Sequence, residues 1–472
     1  MTEMKTRQHR GTFSLLFSSK PVPSVRGLVL GLTLFVIASG CAYGPASTKK
    51  HVIAKWKANA AKVGSASPSI DATAPINLAE AIRLAKQQNR ALLDLRARIP
   101  MTRAGVELAT QWNDPELRIT DVALNDLFDG EPTLEIALRF PIERPGALSA
   151  QRAVKMLDHQ DLIARIHAFE HRLSVAISKT FHTLALIQLD RDEVEREIAV
   201  RSSHLELVKR RLEAGVGVEM DLALATLPHA RALDERNALK NKEREQRALL
   251  ARLLAVPEVG QLNLPELPLT PPEGPSGSEQ SVIEQALRSR SELDRATFRL
   301  EQAKAKTFAA KQRRWPWPDF AQLSYEVRHP LQPLRYGIAV ALKVPLFEWM
   351  GSRVTLHEAE IALRKTEQES IVRSVERQVS DALAKLQRLR ERLHTLQTTL
   401  IPATAASSEA VQRALEAGTL DPLRATVVEG RRIRAKRRYL SVLQDYFDAL
   451  HELRDAMGPR AHTLSNTRGS KP

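Results

Sequence analysis

Only one cysteine, Cys41, stands among 472 residues. That excludes a disulfide framework, a cysteine-based zinc finger and a cysteine-ligated iron–sulfur cluster. Aromatic residues are scarce at 5%, while Leu, Ala, Arg and Glu recur throughout. Such a balance favours long amphipathic helices over an all-β sandwich. The uncharged apolar stretch from Leu28 to Ala38 is too short to span a membrane as a helix, which needs ~20 residues. No serine elbow, phosphate loop or HExxH motif is present, and no motif places a pair of carboxylates, so the sequence offers no basis for an enzyme. What is present is 43% hydrophobic, which excludes wholesale disorder, on a chain long enough for two or three domains. The net charge of +15 points toward nucleic acid or an anionic membrane surface until its location is considered.

Part of that charge, +4, lies in the N-terminus. Residues 1–26 hold Lys5, Arg7, Arg10, Lys20 and Arg26 against one acid, Glu3. The apolar run follows, then Ala38-Ser39-Gly40-Cys41. A basic lead, an apolar run of this length and small residues at its end describe a secretory signal. Its close resembles a bacterial lipoprotein signal, which implies removal of residues 1–40 and a lipid on Cys41; Ala42 resembles the residue of lipoproteins sorted to the outer membrane. An ordinary cleaved signal beside a bystander cysteine is the alternative. Removing residues 1–40, with five bases and one acid, lowers the net charge to +11. An exported chain leaves little room for a nucleic-acid partner.

The remainder is a tandem duplication with an offset near 203 residues. Arg211-Leu-Glu-Ala-Gly215 recurs as Ala414-Leu-Glu-Ala-Gly418, and Trp112-Asn-Asp-Pro115 as Trp315-Pro-Trp-Pro318. Phe140-Pro141-Ile142 pairs with Val344-Pro345-Leu346, and Gly146 with Gly351. Landmarks in one order at nearly one offset predict two like halves. Each reads as a helix (77–111 and 280–314), two short strands, a very long helix (147–213 and 352–416), a glycine turn and a returning helix (about 221–255 and 421–457). Residues 256–279 hold Pro257, Pro265, Pro268, Pro271, Pro272 and Pro275, which forbids regular helix. The expected domains are a signal at 1–40, an extended segment at 41–75, a first repeat at 76–259, a Pro-rich linker at 260–279, a second repeat at 280–458 and a disordered tail at 459–472.

Two segments alternate strictly. In Thr133–Phe140, Leu134, Ile136, Leu138 and Phe140 share one face. In Leu334–Val344 the large apolar face is Leu334, Tyr336, Ile338, Val340, Leu342 and Val344, opposite Arg335, Gly337, Ala339, Ala341 and Lys343. Period two over this length is a strand, and a tilted membrane strand runs ~9–11 residues with its apolar face to lipid. Segments 116–124 and 319–328 are the weaker partners. Two hairpins in a soluble α+β domain are the alternative, but Trp112, Trp315, Trp317, Phe347 and Trp349 punctuate the strand ends as interfacial aromatics do. In the long helices, Val194, Ile198, Arg201, Leu205, Val208 and Leu212 form a coiled-coil seam, as do Leu383, Leu386, Leu389, Leu393, Leu396 and Leu400. Pro402 is expected to kink the second.

An exported lipoprotein with this order, opening on Leu78-Ala-Glu-Ala-Ile-Arg-Leu-Ala85, with Asn113-Asp-Pro-Glu-Leu117, two Ala-Gly turns and Ile401-Pro402-Ala403, resembles the TolC family of outer-membrane efflux channels over about residues 76–458. The resemblance implies a mainly α fold with a small membrane β-barrel. Long coiled-coil hairpins form an α-barrel, and four transmembrane strands per protomer build a trimeric 12-stranded barrel. It implies a homotrimer in outer-membrane lipid, partnered by a periplasmic adaptor and an inner-membrane transporter, acting as a passive duct with no cofactor. The runner-up is a lipid-anchored periplasmic coiled-coil adaptor or scaffold.

Gly215 and Gly418 sit where a helix C-terminus takes a left-handed residue, and Asp421-Pro422 and Asp221 suit helix starts. By resemblance, Gly215, Gly217, Asp221, Gly418 and Asp421 lie at the periplasmic tip, at the adaptor contact and gate. Asp221 is six past its glycine and Asp421 three, so an acidic ring at the tip does not follow. Trp112, Trp315, Trp317 and Trp349 are the expected membrane-interface aromatics. His159, His167 and His171 share a helix, the last two at metal-compatible i, i+4 spacing, but no carboxylate completes a site there. Arg431-Arg-Ile-Arg-Ala-Lys-Arg-Arg438 reads as a charged helix face paired with neighbouring acids.

Overall fold

Local capping chemistry sets the first helices of the computed structural model, which describes residues 53–54, 76–122, 133–257, 259, 262, 264, 277–327, 335–417 and 422–459. Residues 53 and 54 are helical and belong to a separate unit, Met1–Asp71. The fold below is that of Ala72–Pro472. Cys41, Gly418 and Asp421 lie outside the described residues, as do most of the linker and the C-terminal tail.

Helix α1 (Leu78–Gln88) starts where the Asn77 side chain accepts the Glu80 N–H at 2.8 Å. The expected single helix over 77–111 is instead three, α1, α2 (Arg90–Ala97) and α3 (Ile99–Leu108). Asn89 makes the first break: its side chain takes the Leu92 N–H at 3.2 Å and donates to the Leu253 carbonyl at 3.2 Å. A side chain that caps locally and anchors remotely outcompetes helix continuation. The helix expected over 280–314 also divides, at Arg290, into α6 (Glu279–Ser289) and α7 (Ser291–Gln312). Arg290 itself is extended and donates to the Ala456 carbonyl at 2.8 Å.

Between these groups come β1 (Glu116–Val122), β2 (Thr133–Pro141), α4 (Ala147–Glu213) and α5 (Glu219–Leu254). After α7 follow β3 (Trp317–Val327), β4 (Arg335–Lys343), a 3-10 turn (Glu348–Met350) and α8 (Ser352–Thr395). A π-helical turn (Leu396–Leu400), α9 (Ile401–Glu416) and α10 (Pro422–Met457) complete the fold. The element order of the first half thus recurs in the second.

Helix α4 runs 67 residues without a break, ~100 Å at 1.5 Å per residue. Helices α1, α2, α3, α5, α7 and α10 all pack on it, so its buried residues are spread round the helix rather than confined to one stripe. Along its seam Val194, Arg201 and Val208, seven apart, are buried, as a heptad contact requires. The second long helix is interrupted. Pro402 lacks an N–H and its ring would clash with the carbonyl four residues back, and the chain answers with the π turn just ahead of it. The largest apolar cluster joins α8 to α10 and α6: Val379, Leu386 and Leu393 meet Tyr439, Leu443, Tyr446, Leu450 and Leu453 around Val282 and Ala286.

The four strands form one antiparallel sheet in the order β1-β2-β3-β4. The β2–β3 pairing joins the two halves, and each outer strand has one free edge among the described residues.

Candidate functional site

Register decides what each face of the sheet carries. Residues directly opposite in antiparallel strands point the same way. Leu117, Leu138, Leu323 and Ile338 form one row across all four strands, and Ile119, Ile136, Tyr325 and Tyr336 the next on that face. On the reverse, one row is Arg118, Ala137, Ser324 and Gly337, and another is Glu116, Arg139, Gln322 and Ala339. One face is therefore apolar and the other small, polar and charged.

The apolar face is the exposed one: Ile338 is 83% exposed, Tyr336 74% and Leu117 66%. The polar face is organised instead. Arg139 lies over the Phe320 ring, 3.5 Å from its centroid, and reaches Asp319 at 3.6 Å and Glu116 at 3.7 Å. A water-facing sheet shows the opposite preference, since contiguous apolar patches are costly in water.

The tryptophans gather at the strand–helix junctions. Trp112 and Trp315 are exposed in the connections before β1 and β3, and Trp349 lies in the 3-10 turn, its indole N–H donating to the Arg314 carbonyl at 2.7 Å. Trp317 departs from expectation: it is the first residue of β3 rather than outside it. Its indole donates to the Ile142 carbonyl at 3.2 Å and so joins the strand to β2. Pairing with Lys343 draws β3 two residues further back than its alternation alone indicates.

At the other end of α4 the helix closes on a Schellman motif. The Gly215 N–H donates to the Leu212 carbonyl and the Val216 N–H to the Arg211 carbonyl, both at 3.0 Å. Gly215 has φ +72°, which a Cβ disfavours. Gly217 has a different reason to be glycine, because a Cβ there would stand 3.0 Å from the Leu212 backbone nitrogen. Asp221 does not cap α5. The helix starts two residues earlier, with Val218 at the cap and no side-chain cap bond, so Asp221 and Glu219 sit in its first turn near the positive end of the helix dipole. Val216, Val218, Met220, Leu224 and Leu227 are exposed around this end.

The basic run of α10 is partly absorbed into a half-buried ion cluster. Arg437 meets Asp190 at 2.7 Å and Glu235, while Lys436 pairs with Glu193, which also accepts Arg196 at 2.5 Å. Burial works against the Arg437 charge, but the bonds to Glu235 and Asp190 outweigh it and hold the guanidinium more firmly protonated than usual. Its hydrogen bond in turn keeps Glu235 below the ordinary carboxylate range. These contacts tie the second half's last helix to α4 and α5 of the first.

Of the three singled-out histidines, His159 bonds Thr102 at 2.8 Å and His171 the Arg454 carbonyl at 3.1 Å, while His167 lines a cavity of about 680 Å³ beside His171. Among the described residues no group of three or more His, Cys, Asp or Glu could hold a metal. A pair that sequence reasoning misses lies deeper: His451 Nε2 is 3.1 Å from His182 Nδ1, with His182 stacked on Phe447 at 4.8 Å. The two are 269 residues apart in sequence, so no local pattern signals them. Burial lowers His182 and pushes His451 down to about 3.

Long paired helices joined to a four-stranded sheet with its apolar face outward define the fold of TolC-like outer-membrane channels, and the solved structures agree. The outer-membrane channel OprN is 16% identical and superposes with a TM-score of 0.66 over 81% of this chain and 89% of its own. The Campylobacter jejuni CmeC outer membrane channel is 12% identical, with a TM-score of 0.63 over 87% and 95%. The outer membrane protein VceC of Vibrio cholerae is 16% identical, with 0.62 over 81% and 96%. No protein-family model and no curated protein matches the chain. The likeness is one of fold. No described helix is long and apolar enough to cross a membrane, a test that says nothing of strands.

Proposed function

We propose that this chain is an outer-membrane channel, the passive exit duct of a tripartite efflux or secretion system. The observation that carries the reading is the four-stranded sheet with an exposed apolar face, a polar reverse and free outer edges. Hydrocarbon tolerates no unpaired strand edge, so one chain's sheet cannot stand alone there. Three copies close a barrel of twelve strands, with the polar faces toward a lumen. The long helices then continue the duct into the periplasm. Gly215, Gly217, Asp221, Gly418 and Asp421 lie at its tip, where a periplasmic adaptor docks and opens the gate, and an inner-membrane transporter supplies the energy. Trp112, Trp315, Trp317 and Trp349 mark the membrane interface. Residues 1–40 are removed and Cys41 carries the lipid that anchors each protomer, so Cys41→Ser abolishes lipid labelling. The two repeats, 76–259 and 280–458, are products of one duplication joined by the linker at 260–279.

The test is the detergent-solubilised protein. A heat-resistant trimer that forms pores in planar bilayers is the expected result. A water-soluble monomer after delipidation, with no conductance, overturns the reading in favour of a lipid-anchored periplasmic coiled-coil adaptor.

A further inference from the structure

Arg118 and Arg139 stand in adjacent rows of the polar face of the sheet, and their surroundings differ. Arg139 is neutralised: it lies over the Phe320 ring and has Asp319 at 3.6 Å and Glu116 at 3.7 Å. Arg118 is exposed, and among the described residues it takes part in no ion pair and no side-chain hydrogen bond.

The row of Arg118 is built low. Its partners across the sheet are Ala137, Ser324 and Gly337. Ala137 is buried and Ser324 half-buried. At Gly337 a Cβ would stand 2.7 Å from the Ser324 hydroxyl oxygen, so any larger residue there must displace that hydroxyl. Arg118 is thus the one long side chain of its row. The row on the helix side, Glu116, Arg139, Gln322 and Ala339, carries one acid and one base. The row on the other side, Thr120, Glu135, Glu326 and Arg335, carries two acids and one base. Of these three rows, only that of Arg118 has an excess of positive charge.

We propose that Arg118 and its two symmetry copies form an anion-binding ring inside the barrel, which holds carboxylate, sulfonate or phosphate groups of cargo in transit. The inference rests on the reading of the sheet as one third of a trimeric barrel. Twelve tilted strands about 4.8 Å apart enclose a radius of roughly 12 Å at the backbone. Three guanidiniums at one level therefore face water and a ligand rather than each other. Like charges at one height repel, and a multivalent anion among them relieves the repulsion. The guanidinium fork matches an oxyanion bidentately, which a point charge does not. Small neighbours leave the space over the sheet open to the ligand, and the acid-rich row beside the ring limits how tightly an anion is held.

The test uses the full chain in planar bilayers, with inorganic tripolyphosphate as the probe and a neutral sugar of similar size as the control for plugging. Tripolyphosphate is expected to block the pore of the parent chain, and the sugar is not. The block is expected to weaken as KCl is raised from about 0.1 to about 1 M, where the screening length falls from ~10 to ~3 Å. Arg118→Gln is expected to raise the half-blocking concentration at least about tenfold, since charge-assisted bonds are lost. Arg118→Lys is expected to restore part of the block. Pores in the parent chain that tripolyphosphate leaves open, or blocks equally in about 1 M KCl, overturn the ring and leave the channel standing. An undiminished block in Arg118→Gln overturns it as well, because the anion then binds elsewhere. A parent chain that forms no pores overturns the channel reading itself, and the ring with it.

Discussion

The first half runs its long helix unbroken for 67 residues, whereas the second interrupts the matching run with five π-helical residues before Pro402. Helix α4 is enclosed by helices from both halves, while the outward apolar surface is richest on β4 and the turn after it. The two halves share one order of elements and differ in what they touch. Helix α4 of the first half is the mast on which helices of both halves pack. Where the halves meet, at α4 against α10, polar groups interrupt the apolar packing of Leu186 with the α10 cluster: Arg437 with its acids, and His182 with His451.

The sharpest test of this division is on the sheet. Ile338→Arg or Val340→Arg is expected to cost ~2–4 kcal/mol if those side chains meet the bilayer midplane. Ala339→Arg or Ala341→Arg, on the reverse face, is expected to be milder and to change conductance instead. Leu138→Arg, in the same row as Ile338, tests the first half and is expected to match the outward register. Urea-dependent unfolding from vesicles and single-channel recording read the two effects. Equal damage in both registers would mean a sheet buried on both faces.

The meeting line of the halves is next in size. His451 is 2% exposed, and burial first, then the neighbouring His182, Arg454 and Lys179, push its pKa down to about 3; burial also lowers His182. Asp448, paired with Lys179 at 3.2 Å, and Glu452, paired with Lys385 of α8 at 2.7 Å, are the acids nearby on α10. The folded chain holds the His451 ring neutral, so below the unfolded value near 6.5 unfolding takes up a proton. Stability from this residue is full above that pH and is lost as the pH falls toward about 3, roughly 2 kcal/mol by pH 5. The urea midpoint of the solubilised protein is expected to drop between pH 7.5 and pH 5, and less so in His451→Leu. An identical drop in that variant would place the acid sensitivity elsewhere.

How much of this the sequence shows depends on whether the signal is local. Helix α4 is expected over 147–213 and observed as Ala147–Glu213, because Gly146 and Gly215 end it by their own backbone preference. The alternation of β2 and β4 is likewise local, and each strand appears within a residue of the expected ends that the described residues cover. The break at Asn89 depends on a carbonyl 164 residues away, and a local pattern predicts a continuous helix there. Separations of 269 and 247 residues likewise hide the histidine pair and the Asp190 partner of Arg437. Asp221 was legible as a helix-start residue, yet the cap moved to Val218 because the Schellman turn already orders Val216 and Gly217 on the Arg211 carbonyl.

The smallest expected effect on stability, and the largest on function, falls at the glycine turn proposed as the periplasmic tip. The first turn runs Glu213-Ala-Gly-Val-Gly-Val-Glu-Met-Asp221, and the second is the shorter Glu416-Ala-Gly-Thr-Leu-Asp421 followed by Pro422. Two glycines against one glycine and a proline make the first turn the more deformable, so it is expected to supply more of the movement when an adaptor engages. Gly215 holds φ +72° with open space where a Cβ would stand, so a substitution there strains the backbone without a clash. Gly215→Val is expected to cost roughly 1–2 kcal/mol by driving a β-branched residue out of the left-handed region. Gly215→Asn, which tolerates that region, is expected to cost less. At the far end of a 67-residue helix from the sheet, neither change should alter trimer yield or membrane insertion. Export and adaptor cross-linking are expected to fall in the valine variant and to recover in the asparagine one. Should Gly215→Val export and cross-link as well as the parent chain, the glycine is a helix cap and nothing more, and the gate must be sought at the second turn.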